Sequence, residues 1–142
     1  EINRSRRMST PFSIIMCDLD FFKKINDTWG HLVGDYVLVR ATQVLLENLR
    51  PYDCIARYGG EEFVIILPEC GKDQARSVAE RLRLGIESAR VKFENTTITF
   101  TMSFGVTTIL ADNNSSIEEV LTVADRALYR AKDQGRNCVD CA

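Results

Sequence analysis

The sequence predicts an α/β protein, of the α+β kind, in which one mixed β-sheet is covered by helices. The predicted elements follow the order β-α-α-β-β-α-β-α. Two apolar runs meet at Gly59-Gly60, which predicts a β-hairpin because glycine adopts the positive φ of tight turns without steric cost. Residues 98–107 alternate apolar and hydroxyl side chains, which predicts a half-buried strand with an antiparallel neighbour.

The first predicted strand is the apolar run at residues 12–17, which is followed directly by Asp18-Leu19-Asp20. Ligands bind at the carboxyl ends of strands in open α/β sheets, so this acidic segment is a candidate binding site. Residues 21–29 predict a short helix or turn that ends near Gly30. Residues 33–49 predict a helix, because their apolar side chains fall on one stripe: Leu38, Ala41, Leu45 and Leu49.

The middle of the chain contains the hairpin and a second long helix. Pro51 ends the preceding helix, and the hairpin strands are predicted at residues 53–58 and 62–67. Residues 68–71 break the second strand, and residues 72–89 then predict an amphipathic helix.

The last predicted helix has clear signals at both of its ends. Residues 113–116 predict a loop, and Ser116 with Glu119 three residues later predicts a capping box. Gly135 is the expected C-terminal stop.

Composition and charge exclude several classes of protein. The 142 residues suffice for one domain with a real core, and 45% hydrophobic with 27% charged residues is typical of a soluble globular protein. The net charge of −2 indicates no general surface for polyanions, so we expect no nucleic-acid partner. No apolar run reaches the roughly 20 residues of a membrane span, and we expect no signal peptide. We therefore expect a cytoplasmic domain without membrane contact; a membrane anchor elsewhere in the full-length protein stays open.

The chain begins at Glu1 without an initiator methionine, so we expect a fragment of a longer protein. In this interpretation residues 1–10 end a linker from an upstream domain, and residues 11–142 form the domain itself.

The five cysteines are odd in number and irregularly spaced, mostly within apolar segments: Cys17, Cys54, Cys70, Cys138 and Cys141. This pattern predicts buried free thiols in a reducing compartment. The last two have the spacing of a redox or zinc pair, but they stand alone at the chain end with His31 as the only histidine, so we interpret them as incidental.

Two acidic pairs carry the strongest chemical signal. Asp18 and Asp20 end a strand, and Glu61-Glu62 follow the hairpin glycines, so the two pairs can converge. Converging carboxylates repel one another, so they favour a bound cation. Because all the available ligands are oxygen atoms, the predicted cation is Mg²⁺. The alternative for the glutamates alone is a solvated acidic turn.

Candidate ligand-binding residues lie on either side of these acids. Lys132 and Arg136 are four residues apart at the end of the last helix, so both side chains can point the same way. Together with Lys23 they are candidates to bind phosphate. Alternatively, Lys132 and Arg136 are charges that compensate the helix dipole. Asn26 and Asp35 together suit the edge of guanine, or alternatively serve as helix caps.

Three separated motifs together resemble a known family. Residues 18–35 read Asp-Leu-Asp-Phe-Phe-Lys-Lys-Ile-Asn-Asp-Thr-Trp-Gly-His-Leu-Val-Gly-Asp, and residues 57–63 read Arg-Tyr-Gly-Gly-Glu-Glu-Phe. Residues 124–132 read Ala-Asp-Arg-Ala-Leu-Tyr-Arg-Ala-Lys, with Gly-Arg-Asn at 135–137. Order and spacing closely resemble GGDEF-domain diguanylate cyclases, in the GGEEF variant, over nearly the whole chain. The resemblance implies a nucleotidyl-cyclase-like fold with a central mixed, largely antiparallel five-stranded sheet flanked by helices.

The resemblance also implies a reaction and its participants. Two GTP would condense to cyclic di-GMP with release of two pyrophosphates, one GTP on each subunit of an obligatory homodimer. The cofactor would be Mg²⁺, or Mn²⁺ in its place. The implied metal ligands are Asp18, Leu19 through its carbonyl, Glu61 and Glu62. The implied catalytic residues are Glu61 and Glu62, the second as a further metal ligand or as a group that helps deprotonate the 3′-hydroxyl. The implied substrate-binding residues are Phe22, Lys23, Asn26, Asp35, Gly59, Gly60, Lys132 and Arg136.

The resemblance further implies product inhibition at a second site. Arg50 and Asp53, just before the hairpin, match the family's inhibitory site for cyclic di-GMP, with Arg81 as a second contact. Alternatively, Arg50 caps the preceding helix and Asp53 opens the next strand.

Another function stays open: an inactive domain that binds GTP or cyclic di-GMP and regulates a partner. Such domains usually lose a carboxylate of the hairpin motif, and this chain has both.

Overall fold

The computed structural model describes residues 1–111 and 115–142. The helices are α1 (Ile2–Met8), α2 (Phe22–Trp29), α3 (His31–Glu47), α4 (Lys72–Ser88) and α5 (Ile117–Asp133). The strands are β1 (Phe12–Leu19), β2 (Cys54–Arg57), β3 (Glu62–Leu67), β4 (Val91–Phe93), β5 (Thr96–Ile98), β6 (Met102–Ile109) and β7 (Val139–Cys141).

Five of the strands form one sheet in the order β2-β3-β1-β6-β7. All neighbours are antiparallel except β6 and β7, which are parallel. The predicted mixed, largely antiparallel sheet with flanking helices is therefore confirmed. The apolar β1 lies at its centre because all eight of its residues are buried. The short strands β4 and β5 form a separate hairpin.

Helices cover both faces of the sheet. Alternate side chains of β1 enter two clusters, one shared with α3 and α4 and the other shared with α5. Helix α5 crosses β6 so closely that a Cβ on Gly105 would lie 2.1 Å from the backbone nitrogen of Leu128. Only glycine fits at this crossing, which fixes the position of α5 over the sheet.

The predicted strand at residues 98–107 is wrong in two respects. Ile98 belongs to β5, and the chain starts a new strand only at Met102. That strand, β6, is buried on both faces, because it lies between β1 and β7 with α4 and α5 packed against it. Its antiparallel neighbour is β1, as expected.

The hairpin is present, but the expected reason for its glycines is wrong. Strands β2 and β3 pair up to Arg57 opposite Phe63. Among the described glycines, positive φ occurs only at Gly30 and Gly135. At Gly59 a Cβ would lie 2.6 Å from a carboxylate oxygen of Glu62, so a larger residue there would require the flexible Glu62 side chain to move.

The predicted start and stop signals of the last helix, α5, are confirmed. Ser116 Oγ accepts from the Glu119 N–H at 3.2 Å, and the Glu119 carboxylate accepts from the Ser116 N–H at 2.8 Å. Gly135 follows the helix with a φ of 113°. Of the predicted loop 113–116, Asn113 and Asn114 lie outside the described residues.

All five cysteines are free. Cys17 and Cys70 are buried as expected, whereas Cys54 is exposed because β2 forms the edge of the sheet. Cys138 and Cys141 are half-buried at β7. Among the described residues, no helix combines the length and apolarity needed to cross a membrane.

Candidate active site at the end of strand β1

Strand pairing brings the acidic residues together. In the register of β1 and β3, Asp18 lies opposite Glu62. The Leu19 N–H donates to the carbonyl of Glu61 at 3.2 Å, which joins the end of β1 to the tip of the hairpin. The side chain of Leu19 is buried, so only its backbone faces this acidic cluster of Asp18, Glu61 and Glu62.

Asp18 is the buried member of the acidic cluster, with 9% of its side chain exposed. Burial raises the pKa of Asp18 from 3.8 to about 6, the Lys132 ammonium opposes the rise, and the charges of Glu61 and Glu62 add to it. Lys132 Nζ lies 3.2 Å from Asp18 Oδ1. Ionising Asp18 is thus costly for the chain alone, and a cation at the cluster would offset that cost.

We expect this cost to appear in the stability of the chain in EDTA. The folded state holds the Asp18 proton more tightly than the unfolded state, so the free energy of unfolding falls as the pH rises from about 4 to 6. At about 1.4 kcal/mol per pKa unit, the shift from 3.8 to about 6 amounts to roughly 3 kcal/mol. Urea unfolding at pH 4 and pH 7.5 measures this loss of stability, and Asp18→Asn should remove the part of it that is due to Asp18. The exposed Asp125→Asn is the control, and equal pH dependence in wild type and Asp18→Asn would contradict the assignment.

The donors of the acidic cluster suit a hard divalent cation, because they are carboxylate and carbonyl oxygens. In residues 1–111 and 115–142, no group of three or more acidic, histidine or cysteine side chains is arranged to hold a metal ion without further ligands or movement. A small, well-hydrated cation such as Mg²⁺ fits this arrangement, since it takes only one or two carboxylates and completes its shell with water and phosphate oxygens.

Of the predicted cations, Lys132 contacts the acidic cluster, whereas Arg136 contacts an aromatic ring. Lys132 lies in the last turn of α5, but the helix ends at Asp133, so Arg136 is not on the same helical face. Arg136 follows Gly135 with a φ of 64°, and its guanidinium stacks 4.6 Å from the ring centroid of Phe21. Lys23 is exposed on α2.

Asn26 is the clearest unsatisfied group. Its side-chain oxygen is buried and has no hydrogen-bond partner among the described residues. The helix-cap alternative is not supported, because Phe21 and Gly30 occupy the N-cap positions of α2 and α3, without side-chain capping bonds. Asp35 is exposed. A buried lone carbonyl is expensive, so the Asn26 amide oxygen is suited to accept from a ligand.

A small residue makes room for this amide. A Cβ on Gly34 would lie 1.9 Å from Asn26 Oδ1 and 3.3 Å from the ring of the buried Phe22. Gly34 has no positive φ, so its requirement is steric.

The predicted inhibitory residues lie at the opposite end of β2 from the hairpin glycines. The Arg50 N–H donates to Asp53 Oδ2 at 2.8 Å, and Arg50 Nη1 donates to the Tyr52 hydroxyl at 3.1 Å. Arg81, not Arg50, donates to the Asn48 carbonyl at the end of α3, at 2.9 Å, so among the described residues no side-chain bond of Arg50 supports the helix-cap alternative.

Two groups near the site make contacts that the sequence did not predict. Asp20 was grouped with the acidic cluster, but it bonds to Thr101 and Ser103 of another segment instead. Arg57 donates to the carbonyls of Gly59 and Gly60 at 3.2 and 3.1 Å and so holds the hairpin turn. No sequence period marks these contacts, which join side chains to one another or to the backbone of a turn.

Comparison with known proteins gives one consistent family. The family described as "Diguanylate cyclase, GGDEF domain" matches residues 1–138. Diguanylate cyclase DosC of Escherichia coli K12 is 39% identical over 141 residues, covering 99% of this chain and 30% of that protein. Diguanylate cyclase A of Treponema denticola is 41% identical over 138 residues, covering 97% of this chain and 37% of that protein. The chain therefore spans about a third of these relatives.

Solved structures agree. Diguanylate cyclase SiaD from Pseudomonas aeruginosa, in complex with its activator SiaC, superimposes with a TM-score of 0.95 at 37% identity, covering all of this chain and 54% of that one. The GGDEF domain of DgcB from Caulobacter crescentus, in complex with c-di-GMP, gives 0.91 at 32% identity over 98% of this chain and 82% of that one. The active GGEEF domain of a diguanylate cyclase from Vibrio cholerae gives 0.89 at 31% identity, covering 98% of this chain and 87% of that one.

Proposed function

Because the chain belongs to the GGDEF family of diguanylate cyclases, we propose that it condenses two GTP into cyclic di-GMP and releases two pyrophosphates. The observation that carries this proposal is the meeting of Asp18, Glu61 and Glu62 with Lys132 at the end of β1. Such a cluster suits a reaction in which negative charge develops on phosphate oxygens.

In the proposed reaction the 3′-hydroxyl of one GTP attacks the α-phosphorus of the other. The bond to the bridging oxygen breaks, pyrophosphate leaves, and the hydroxyl loses its proton. Mg²⁺ bound by Asp18, Glu61, Glu62 and the Leu19 carbonyl would neutralise charge on the phosphates, with Mn²⁺ as a substitute. Glu62 serves as a further ligand or accepts the hydroxyl proton.

The remaining residues bind the nucleotide. Lys132 and Arg136 hold phosphate oxygens as a point charge and a planar fork, with Lys23 nearby on α2. Asn26 Oδ1, buried without a partner among the described residues, accepts from guanine, and Asp35 accepts from the same edge. Phe22, whose ring would lie 3.3 Å from a Cβ on Gly34, also belongs to this site, and Gly59 and Gly60 let the hairpin backbone approach the phosphates.

One chain supplies one such set, so cyclisation requires two copies that each present a GTP. We therefore propose a homodimer as the active form. The test is incubation with GTP and Mg²⁺ at high protein concentration, with the product identified by mass. Cyclic di-GMP supports the proposal. Binding of GTP without any product would support the regulatory alternative instead.

We expect Gly34→Ala to weaken GTP binding by about tenfold or more, because the added methyl forces the Asn26 amide from its position. Binding of an unreactive GTP analogue, measured by calorimetry, tests this. Gly71→Ala is the matched control, since a Cβ there meets nothing within 4 Å. Unchanged affinity in Gly34→Ala would remove Asn26 from the base site.

We also propose product inhibition at Arg50 and Asp53, with Arg81 as a second contact. The DgcB structure, which contains c-di-GMP, supports a product site in this family. The Arg50 guanidinium, free of the helix end, can turn from Tyr52 to a guanine edge or a phosphate.

Arg50→Ala should therefore raise the concentration of cyclic di-GMP needed for half-inhibition by about tenfold or more. Titration of product against initial rate measures this, and Arg40→Ala on α3 is the control. Equal inhibition of wild type and Arg50→Ala would place the inhibitory site elsewhere.

A further inference from the structure

Asp20 is a buried carboxylate that takes no part in the acidic cluster. It is 4% exposed, and its two oxygens accept three hydrogen bonds. Oδ2 accepts from the Thr101 hydroxyl at 2.7 Å and from the backbone N–H of Asn137 at 3.0 Å, and Oδ1 accepts from the Ser103 hydroxyl at 2.6 Å. A buried charge persists only where such bonds satisfy it. Asp20 thus ties the end of β1 to the start of β6 and to the segment after α5.

The segment it holds has an unusual backbone. Arg136 and Asn137 have φ angles of 64° and 47°, a left-handed conformation that is uncommon for residues with a side chain. Surrounding contacts must hold such a turn in place. The Asn137 backbone is held by Asp20, and its side chain is held by α4, donating to Glu87 at 2.7 Å and accepting from Arg83 at 3.1 Å.

These anchors set the direction of Arg136. Its side chain is exposed, and its guanidinium lies over the ring of Phe21, the residue that directly follows Asp20. Phe21 is itself left-handed, with a φ of 55°. Asp20 is the neighbour of Phe21 in the sequence, and it is bonded to Asn137, the neighbour of Arg136. It therefore holds the backbone next to both members of the stacked pair of Phe21 and Arg136.

We propose that Asp20 is a positioning residue for phosphate binding: by holding the Arg136–Asn137 turn, it aims the Arg136 guanidinium at the triphosphate. This rests on the proposed function, which makes Arg136 a phosphate contact. A pre-aimed guanidinium loses less conformational freedom when the nucleotide binds, so the effect of Asp20 on affinity passes through Arg136.

The test is a double-mutant cycle on binding, without turnover. The ligand is the α,β-methylene analogue of GTP, whose bridging carbon prevents loss of pyrophosphate, with Mg²⁺ present. Asp20→Asn keeps the volume but replaces one acceptor oxygen by an NH₂ group, and it should weaken binding by about tenfold. In an Arg136→Ala background the same change should have less than about a twofold effect. Equal effects in both backgrounds would overturn the proposal.

Two further variants separate positioning from general stability. Asp140→Asn disturbs a comparable network, in which Asp140 accepts from Arg130 and Gln134, and it should lower the melting temperature without changing affinity. Equal loss of affinity in Asp140→Asn would overturn the positioning role. If Asp20→Asn does not fold, Thr101→Val is used instead, because it removes one donor to Asp20 at constant shape. Its effect on affinity must likewise vanish in the Arg136→Ala background.

The proposed function fails separately. If wild-type protein binds the analogue but forms no cyclic di-GMP from GTP, the proposed catalysis is contradicted. The double-mutant cycle on Asp20 and Arg136 can still be measured in that case, because it depends on binding alone. Wild-type protein that does not bind the analogue overturns both proposals.

Discussion

Glu61→Gln is expected to lower cyclic di-GMP formation by about a hundredfold or more while leaving the fold intact. The glutamine keeps the size of the side chain but removes a negative oxygen from the acidic cluster, where Asp18 is already buried and paired with Lys132. Loss of one charged oxygen weakens cation binding and the stabilisation of charge on the phosphates together, and a single such contact is worth roughly 10²–10³ in rate. Asp18→Asn should have an effect of the same order.

The measurement is the initial rate of product formation at saturating Mg²⁺, together with a thermal melt that verifies folding. Glu118→Gln is the matched control, because Glu118 lines the cleft beside Glu62 but belongs to the first turn of α5. It should change the rate by less than about twofold. A folded Glu61→Gln protein with near-wild-type rate would refute the metal assignment.

The second large effect concerns protein concentration. In the proposed mechanism each subunit carries half of the reaction, so the rate per subunit should rise about in proportion to protein concentration while monomers predominate, and level off once dimers form. Initial rates over a hundredfold dilution series, with the association state measured by sedimentation, test this. A constant rate per subunit from protein shown to be monomeric would contradict the two-subunit mechanism.

Mixing provides an independent check on the two-subunit mechanism. An excess of Glu61→Gln protein over a fixed amount of wild type should suppress cyclic product, because a mixed pair forms only one of the two phosphodiester bonds. The linear dinucleotide, with one pyrophosphate released, should accumulate instead. An unchanged yield of cyclic di-GMP would mean that wild-type subunits act alone.

The local sequence determined those parts of the protein that depend on neighbouring residues. The apolar run before Asp18 predicts a buried strand, the glycines before Glu61 predict a hairpin, and Ser116 with Glu119 predicts a capped helix. The strand and the capped helix have physical causes within a few residues, namely burial and a cap. The hairpin forms where the glycines predict it, although positive φ is not the reason for them. Family motifs added the five-stranded sheet, which the fold confirms.

The tertiary structure decided which side chains of similar chemistry work together. Local patterning treats Asp18 and Asp20 alike, as acids at the end of a strand. In the fold Asp18 faces Lys132 and Asp20 accepts from the Asn137 N–H, because β1 ends between them and Phe21 turns the chain. Likewise Arg81, rather than Arg50, bonds to the end of α3. These choices rest on partners 33 to 117 positions away in the chain. Local periodicity carries no information about such partners, because packing of the sheet and helices brings them together only in the folded state.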